Sequence, residues 1–151
     1  MTAMSIEDAL IRDLDRLCEI ETECFREEAF TKGQILQLLK EYNCVNLVAR
    51  MDGKITGFVI GMMYVERKAL NAHILTIDVS TAYRRRGIGQ LLLQEMERIF
   101  REKGVKVSHL EVREDNLAAI NLYGKLGYEK IGKLRNYYGK ANGVYFKKVL
   151  A

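Results

Sequence analysis

The sequence contains no proline and no tryptophan, only two histidines (His73 and His109) and three cysteines (Cys18, Cys24 and Cys44). The missing proline has no functional account of its own, but it excludes proline-rich linkers. No low-complexity tract or internal repeat takes their place. Three cysteines without regular spacing do not make a disulfide framework. No Cys-x-x-Cys pair accompanies the two histidines, so a structural zinc site is not indicated. The thiols read as ordinary buried or half-buried groups of a reducing compartment, which points to a cytoplasmic protein. No apolar run reaches the ~18 residues of a membrane span. The start, MTAMSIEDAL, lacks the basic-then-apolar pattern of a secretory signal. Charge of one sign is also scarce. Against 20 acidic residues stand 24 Lys and Arg, a net +4 that is too mild to argue for nucleic acid.

What is present suits one globular domain over residues 1–151, with 48% hydrophobic and 29% charged residues. Ser5–Leu10 can form a first strand. Asp13 is an N-cap candidate for a helix carrying Leu14, Leu17, Cys18 and Phe25. Thr31 can cap a second helix with Ile35, Leu38, Leu39 and Tyr42. Asn46–Met51 and Lys54–Val65 flank Asp52-Gly53 and read as a β-hairpin. Ala72–Val79 is a further strand. Ile88, Leu92, Met96, Ile99 and Phe100 make a helical stripe closed by Gly104. Then follow strand Val105–Val112, helix Asn116–Leu126 closed by Gly127, and strands Tyr128–Arg135 and Val144–Leu150 around a loop, Asn136–Gly143. The order β-α-α-β-β-β-α-β-α-β-β predicts an α/β fold. Its mixed, mostly antiparallel central sheet contains one β-α-β parallel crossover and is flanked by helices.

The charge is concentrated at one turn. Val79-Ser-Thr-Ala-Tyr-Arg84-Arg85-Arg86-Gly87-Ile88-Gly89-Gln90 leaves a strand and enters a helix. Unpaired N–H groups at a helix N-terminus attract phosphate oxygens, and glycines let the backbone approach them. No Gly-Lys-Ser/Thr follows, which excludes a Walker-type loop. The third glycine of a dinucleotide fingerprint is missing as well.

Arg84-x-x-Gly87-x-Gly89, preceded by Leu75-Thr-Ile77-Asp78-Val79, resembles the pyrophosphate signature of GNAT N-acetyltransferases, which bind acetyl-CoA. The resemblance continues through Leu110-Glu111-Val112-Arg113, Asn116, Asn121 and Tyr123 to Leu126-Gly127-Tyr128. It is closest to the RimI-type and archaeal protein N-terminal acetyltransferases. It implies the acyl-CoA N-acyltransferase fold and no need of a metal. Acetyl-CoA would lie against Ile77, Asp78, Val79 and Arg84 to Gln90 (Arg84, Arg85, Arg86, Gly87, Ile88, Gly89, Gln90), with Asn116, Asn121 and Tyr123 beside it. Residues matching Glu111 and Tyr123 are the family's general base and general acid. Read from chemistry alone, Glu111 on its strand is a reasonable base for an amine, and the alternatives of a solvated strand residue and a packed tyrosine stay open. The family grips its peptide between the loop joining the first two helices, here containing Phe25, and the loop joining the last two strands, here containing Tyr137 and Tyr138. His73 and Leu75 can line the acceptor side. Two departures stand out: Cys24-Phe25-Arg26-Glu27-Glu28-Ala29-Phe30 lacks the proline and tryptophan usual in that first loop, and Ser80-Thr81-Ala82 lacks the usual proline before the phosphate turn.

At neutral pH, deprotonation costs about 1 kcal/mol for an α-amine and about 4.6 for lysine. One glutamate suffices for the former, which is compatible with an N-terminal acceptor, and the RimI-type resemblance implies that the acceptor is a protein N-terminus, a ribosomal protein included. The expected enzyme is a monomer or homodimer that binds neither nucleic acid nor membrane. Alternatives are transfer to a lysine or small amine, a silent acyl-CoA-binding module, or a nucleic-acid contact through the three arginines.

Overall fold

A computed structural model describes residues 3–150. Seven strands and four α-helices alternate as β1 (Met4–Asp8), α1 (Leu14–Phe25), α2 (Lys32–Lys40), β2 (Cys44–Met51), β3 (Lys54–Glu66), β4 (Ala69–Val79), α3 (Ile88–Glu102), β5 (Val107–Arg113), α4 (Leu117–Lys125), β6 (Glu129–Tyr138) and β7 (Ala141–Val149). The element order is the one expected from sequence. One sheet runs β1-β2-β3-β4-β5-β7-β6. Every neighbouring pair is antiparallel except β4 and β5, which α3 connects in parallel.

Local chemistry accounts for the boundaries. Asp52 and Gly53 both take positive φ (51° and 81°), the two-residue turn that suits the twist of a hairpin. Arg67 and Lys68 do the same without a glycine (52° and 64°), so β3 and β4 run on past the expected Val65 and Ala72. Thr31 caps α2 through Gln34 N–H at 3.2 Å, and Gln34 Oε1 accepts from Thr31 N–H at 2.8 Å. Tyr42 does not join the α2 stripe: the helix stops at Lys40 and Tyr42 is 95% exposed. Asp13 stands at the N-cap position of α1, but its carboxylate turns back to Leu10 N–H (2.9 Å) and to Arg50 (3.0 Å). That turn ends β1 at Asp8 rather than Leu10. The expected loop 136–143 is largely strand, with a register break between Leu134 and Tyr138.

Helices cover both faces. Ile88, Leu92, Met96 and Phe100, spaced four apart along α3, are buried against Ala49, Val59, Ile74, Leu110 and Val112. Leu14, Leu17 and Ile20 of α1 with Ile35 of α2 bury Val48, Phe58 and Ile60 on the other face. Each such side chain contributes about 1.5–3 kcal/mol of burial. At Gly57 there is no room for a side chain, since a Cβ there would lie 2.6 Å from the Asp78 carbonyl oxygen and 3.3 Å from Leu92.

Two irregularities in β4 shape the site. Between Ile60↔Thr76 and Gly61↔Ile74 the pairing skips Leu75, a β-bulge that changes which residues face α1. β4 and β5 pair only at Asn71↔Val107, Ala72↔Ser108 and His73↔His109, and then part. No helix among the described residues is long and apolar enough to cross a membrane.

Gly57→Ala is expected to destabilise the protein by about 1–3 kcal/mol, because backbone cannot yield to the new methyl. Gly33→Ala, with nothing within 4 Å, is expected to gain about 0.4–1 kcal/mol. Urea unfolding of both variants checks the pair, and equal midpoints would contradict it.

Candidate active site

Where β4 and β5 part, four elements converge. β4 supplies His73, β5 supplies Glu111, β6 supplies Tyr137, and α4 brings Tyr123 from the other side of the sheet. His73 Nε2–H donates to Glu111 Oε2 at 2.7 Å, and the Tyr137 hydroxyl donates to Glu111 Oε1 at 3.2 Å. Burial pushes the Glu111 carboxyl up. The His73 hydrogen bond, the imidazoles of His73 and His109, and the Tyr137 hydroxyl outweigh it, leaving the group below its ordinary value. A half-buried carboxylate that stays ionised is a competent proton acceptor.

Tyr123 is buried, packed between Tyr128 (6.0 Å) and Phe146 (6.2 Å). Burial first, then the charges of Asp78 and Tyr138, push its hydroxyl well above the ordinary tyrosine range. It therefore holds its proton at any working pH, as a donor must. Tyr138 meets Tyr137 edge-on at 4.9 Å. Both tyrosines lie on β6 rather than in a loop.

The phosphate turn has the backbone the sequence called for. Gly87 takes φ 77° at the N-cap of α3, where Arg85 is also left-handed at 64°. The first intrahelical bond runs from Leu91 N–H to Gly87 O at 3.1 Å. The N–H groups of Ile88, Gly89 and Gln90 thus precede any helical acceptor, and no side chain caps them. This turn fits a pyrophosphate, and the parted strands fit the extended arm of a coenzyme beside it. Arg85 is exposed, and so is Arg86, whose guanidinium lies 5.3 Å over Tyr83. Arg84 instead folds back, Nε–H donating to the Val79 carbonyl (3.2 Å) and Nη2 to Cys24 (3.4 Å).

Other expected residues fall into place unevenly. Ile77 and Val79 are half-buried beside α3, and Leu75 sits in the bulge packed toward α1. The Asp78 side chain faces away from the parted strands. It is 1% exposed, its Oδ1 lies 2.6 Å from Thr76 Oγ1, and its carboxyl is pushed well up by burial and by Glu21. Only its backbone remains for a cofactor. Asn116 caps α4, accepting from Ala119 N–H at 3.2 Å, and Asn121 is exposed on that helix. Phe25 ends α1, half-buried at the start of the first loop.

Several supporting residues carry no motif in the sequence. Glu21, 1% exposed, accepts from Thr76 Oγ1 (2.9 Å) and Phe30 N–H (3.0 Å), tying β4 to the loop between α1 and α2. Glu23 accepts from the Thr81 hydroxyl and from Thr81 N–H (2.5 Å), in that order of effect holding its carboxyl below the ordinary value. The Cys24 thiol donates to the Val79 carbonyl at 3.4 Å; burial and Asp78 raise it to about 11, so it is protonated. Glu28 pairs with Arg113 across the loop and the end of β5. The acidic spacing of α1 was the available signal, and it is indistinguishable from an ordinary polar helix face.

Comparison with known proteins agrees with the fold. The sequence profile of the acetyltransferase (GNAT) family matches residues 14–128. An N-alpha-acetyltransferase of Sulfurisphaera tokodaii is 31% identical over 149 residues, 93% of this chain and 89% of the relative. A [ribosomal protein bS18]-alanine N-acetyltransferase of Salmonella typhimurium is 34% identical over 99 residues, 66% of this chain and 64% of the relative. The crystal structure of Ard1 from Thermoplasma volcanium superposes with a TM-score of 0.90 at 28% identity, covering 99% of both chains.

His73→Ala would leave burial as the main influence on Glu111, so its carboxyl should titrate higher. The acid limb of kcat/KM against pH is expected to move to higher pH in this variant. An unmoved limb would detach His73 from the titrating group.

Proposed function

The chain belongs to the acetyltransferase (GNAT) family and is an acetyl-CoA-dependent N-acetyltransferase, and on that premise we propose that its acceptor is the N-terminal α-amine of a protein. The observation that carries this reading is the single ionised carboxylate of Glu111, held by His73 and Tyr137 where β4 and β5 part. One carboxylate matches the small cost of deprotonating an α-amine.

When bound, acetyl-CoA supplies the activated acyl group as a thioester. Ile88, Gly89 and Gln90 N–H groups and the exposed Arg85 and Arg86 hold the pyrophosphate. The backbone of Ile77 to Val79 aligns the arm of the coenzyme, and an N–H of Val79 or a neighbour polarises the reacting carbonyl. Glu111 takes the amine proton, directly or through water. Tyr123, kept neutral by burial, is the donor to the departing thiolate. The α1–α2 loop, which contains Phe25 and is tied to the end of β5 by Glu28 and Arg113, is read together with Tyr137, Tyr138, His73 and Leu75 as the groove that takes the acceptor. Tyrosine hydroxyls grip peptide backbone, which suits several first residues rather than one.

The whole chain, 1–151, is read as one catalytic domain acting in the cytoplasm as a monomer or homodimer, in keeping with three unpaired cysteines. The Salmonella relative's name makes the N-terminal alanine of a ribosomal protein the first acceptor to test.

Free thiol released from acetyl-CoA is measured against short peptides beginning with Ser, Ala, Met or Thr, and against an N-blocked peptide with an internal lysine. Transfer to free N-termini alone is expected. Transfer to the blocked peptide alone would move the enzyme to lysine. Glu111→Gln is expected to lower kcat at least about 100-fold while leaving acetyl-CoA affinity unchanged. Unchanged turnover would remove Glu111 from the mechanism.

A further inference from the structure

Both histidines stand on the acceptor face, on neighbouring strands. Their rings stack at 4.4 Å with 15° between planes. Glu111 is two residues beyond His109 on β5, and its carboxylate meets His73. One donor atom from each of His73, His109 and Glu111 lies within 4.8 Å of the other two. Among the described residues this is the one group of metal-ligating side chains so arranged.

The state of His109 makes the cluster more than a coincidence of polar groups. Its Nε2 hydrogen-bonds the Tyr64 hydroxyl at 2.7 Å, while its Nδ1 is buried with no partner among the described residues. An orphaned buried N–H costs more than an orphaned lone pair, so the proton belongs on Nε2, facing Tyr64. Nδ1 is then a bare donor atom. Hydrogen bonding from the opposite ring nitrogen is how metal-ligating histidines are commonly oriented. Two imidazoles and one carboxylate suit zinc or a similar divalent transition ion, with a fourth position left for water. Tetrahedral zinc needs ligand atoms about 3.3 Å apart, a contraction of side-chain size from the present spacing.

We propose that His73, His109 and Glu111 form a binding site for a divalent transition-metal ion, and that occupancy inhibits acetyl transfer by taking Glu111 out of use. The metal replaces the proton between His73 Nε2 and Glu111 Oε2. Coordination draws charge out of the carboxylate and fixes its orientation, so it accepts a proton from the amine far less readily. Zinc therefore competes with the acceptor amine but not with acetyl-CoA, whose phosphate contacts lie at the α3 turn. The inhibitory half rests on Glu111 being the base; the binding half does not.

Zinc chloride is titrated calorimetrically into the protein and into a Cys18→Ser/Cys24→Ser/Cys44→Ser variant that removes competing thiols. One zinc per chain is expected in both, with no comparable heat from magnesium. His109→Gln, added to the triple variant, should weaken binding at least about tenfold. His73→Gln, on the other strand, should do the same, and circular dichroism checks that each variant is folded. Cobalt(II) absorption should lose its tetrahedral signature in both. Affinity unchanged by either histidine substitution, or zinc binding lost in the triple-serine protein, overturns the site. In the peptide assay zinc should raise the apparent KM for peptide and leave that for acetyl-CoA unaltered; the reverse pattern overturns the inhibitory role. A chain that acetylates no peptide would defeat the proposed acceptor while calorimetry still decides the metal site.

Discussion

Everything at this site depends on two parallel strands that cannot stay together. β4 and β5 share three residue pairs and then diverge, leaving main-chain groups of both facing a gap instead of each other. Unpaired backbone polar groups are costly unless something satisfies them. A ligand with its own amides and carbonyls is the natural complement. The divergence is built in from both sides: the bulge at Leu75 turns β4, and α4 inserts Tyr123 behind it. The same parting places His73 at the last paired position and Glu111 just beyond it, so base and cofactor channel arise from one event in the sheet.

Around this gap, charge is arranged by burial more than by ion pairing. Glu111 is desolvated yet held ionised by two donors, whereas Asp78, fully buried beside Glu21, is driven toward its neutral form. Two carboxyls on adjacent strands thus sit in opposite protonation preferences. Tyr123 gains its strong hold on a proton from apolar packing and from Asp78. The arginines divide likewise. Arg84 is tied to the scaffold by bonding the Val79 carbonyl, and Arg85 and Arg86 are exposed and can meet an anion.

The fold was legible because its elements have strong local signatures: the α3 stripe, the Asp52-Gly53 turn, the Thr31–Gln34 box. Less legible were features set by contacts distant in sequence. Nothing near Arg67-Lys68 announces a tight turn, and nothing in Asn136–Gly143 shows that β6–β7 pairing would draw most of it into strand. The phosphate turn and Glu111 were readable because each lies in a contiguous motif. His109 was invisible as a site residue, since only the pairing His73↔His109 puts it beside His73. At Asp78 a motif position does not say which way the side chain points, and the bulge at Leu75 turns it to the other face.

Glu21 joins two things that need not have been joined. One carboxylate oxygen holds Thr76 on β4, and the other holds Phe30 N–H at the close of the α1–α2 loop. Cys24, at the loop's other end, holds Val79. The loop is therefore pinned at both ends to the strand that borders the reaction, and the residues between the pins carry none of the hydrophobic core. Arg26, Glu27 and Glu28 are exposed and can change identity without repacking anything beneath them. Such a layout separates what lineages must keep from what they are free to vary. New acceptor preferences can be explored by drift in a short, tethered stretch while the chemistry below is inherited intact.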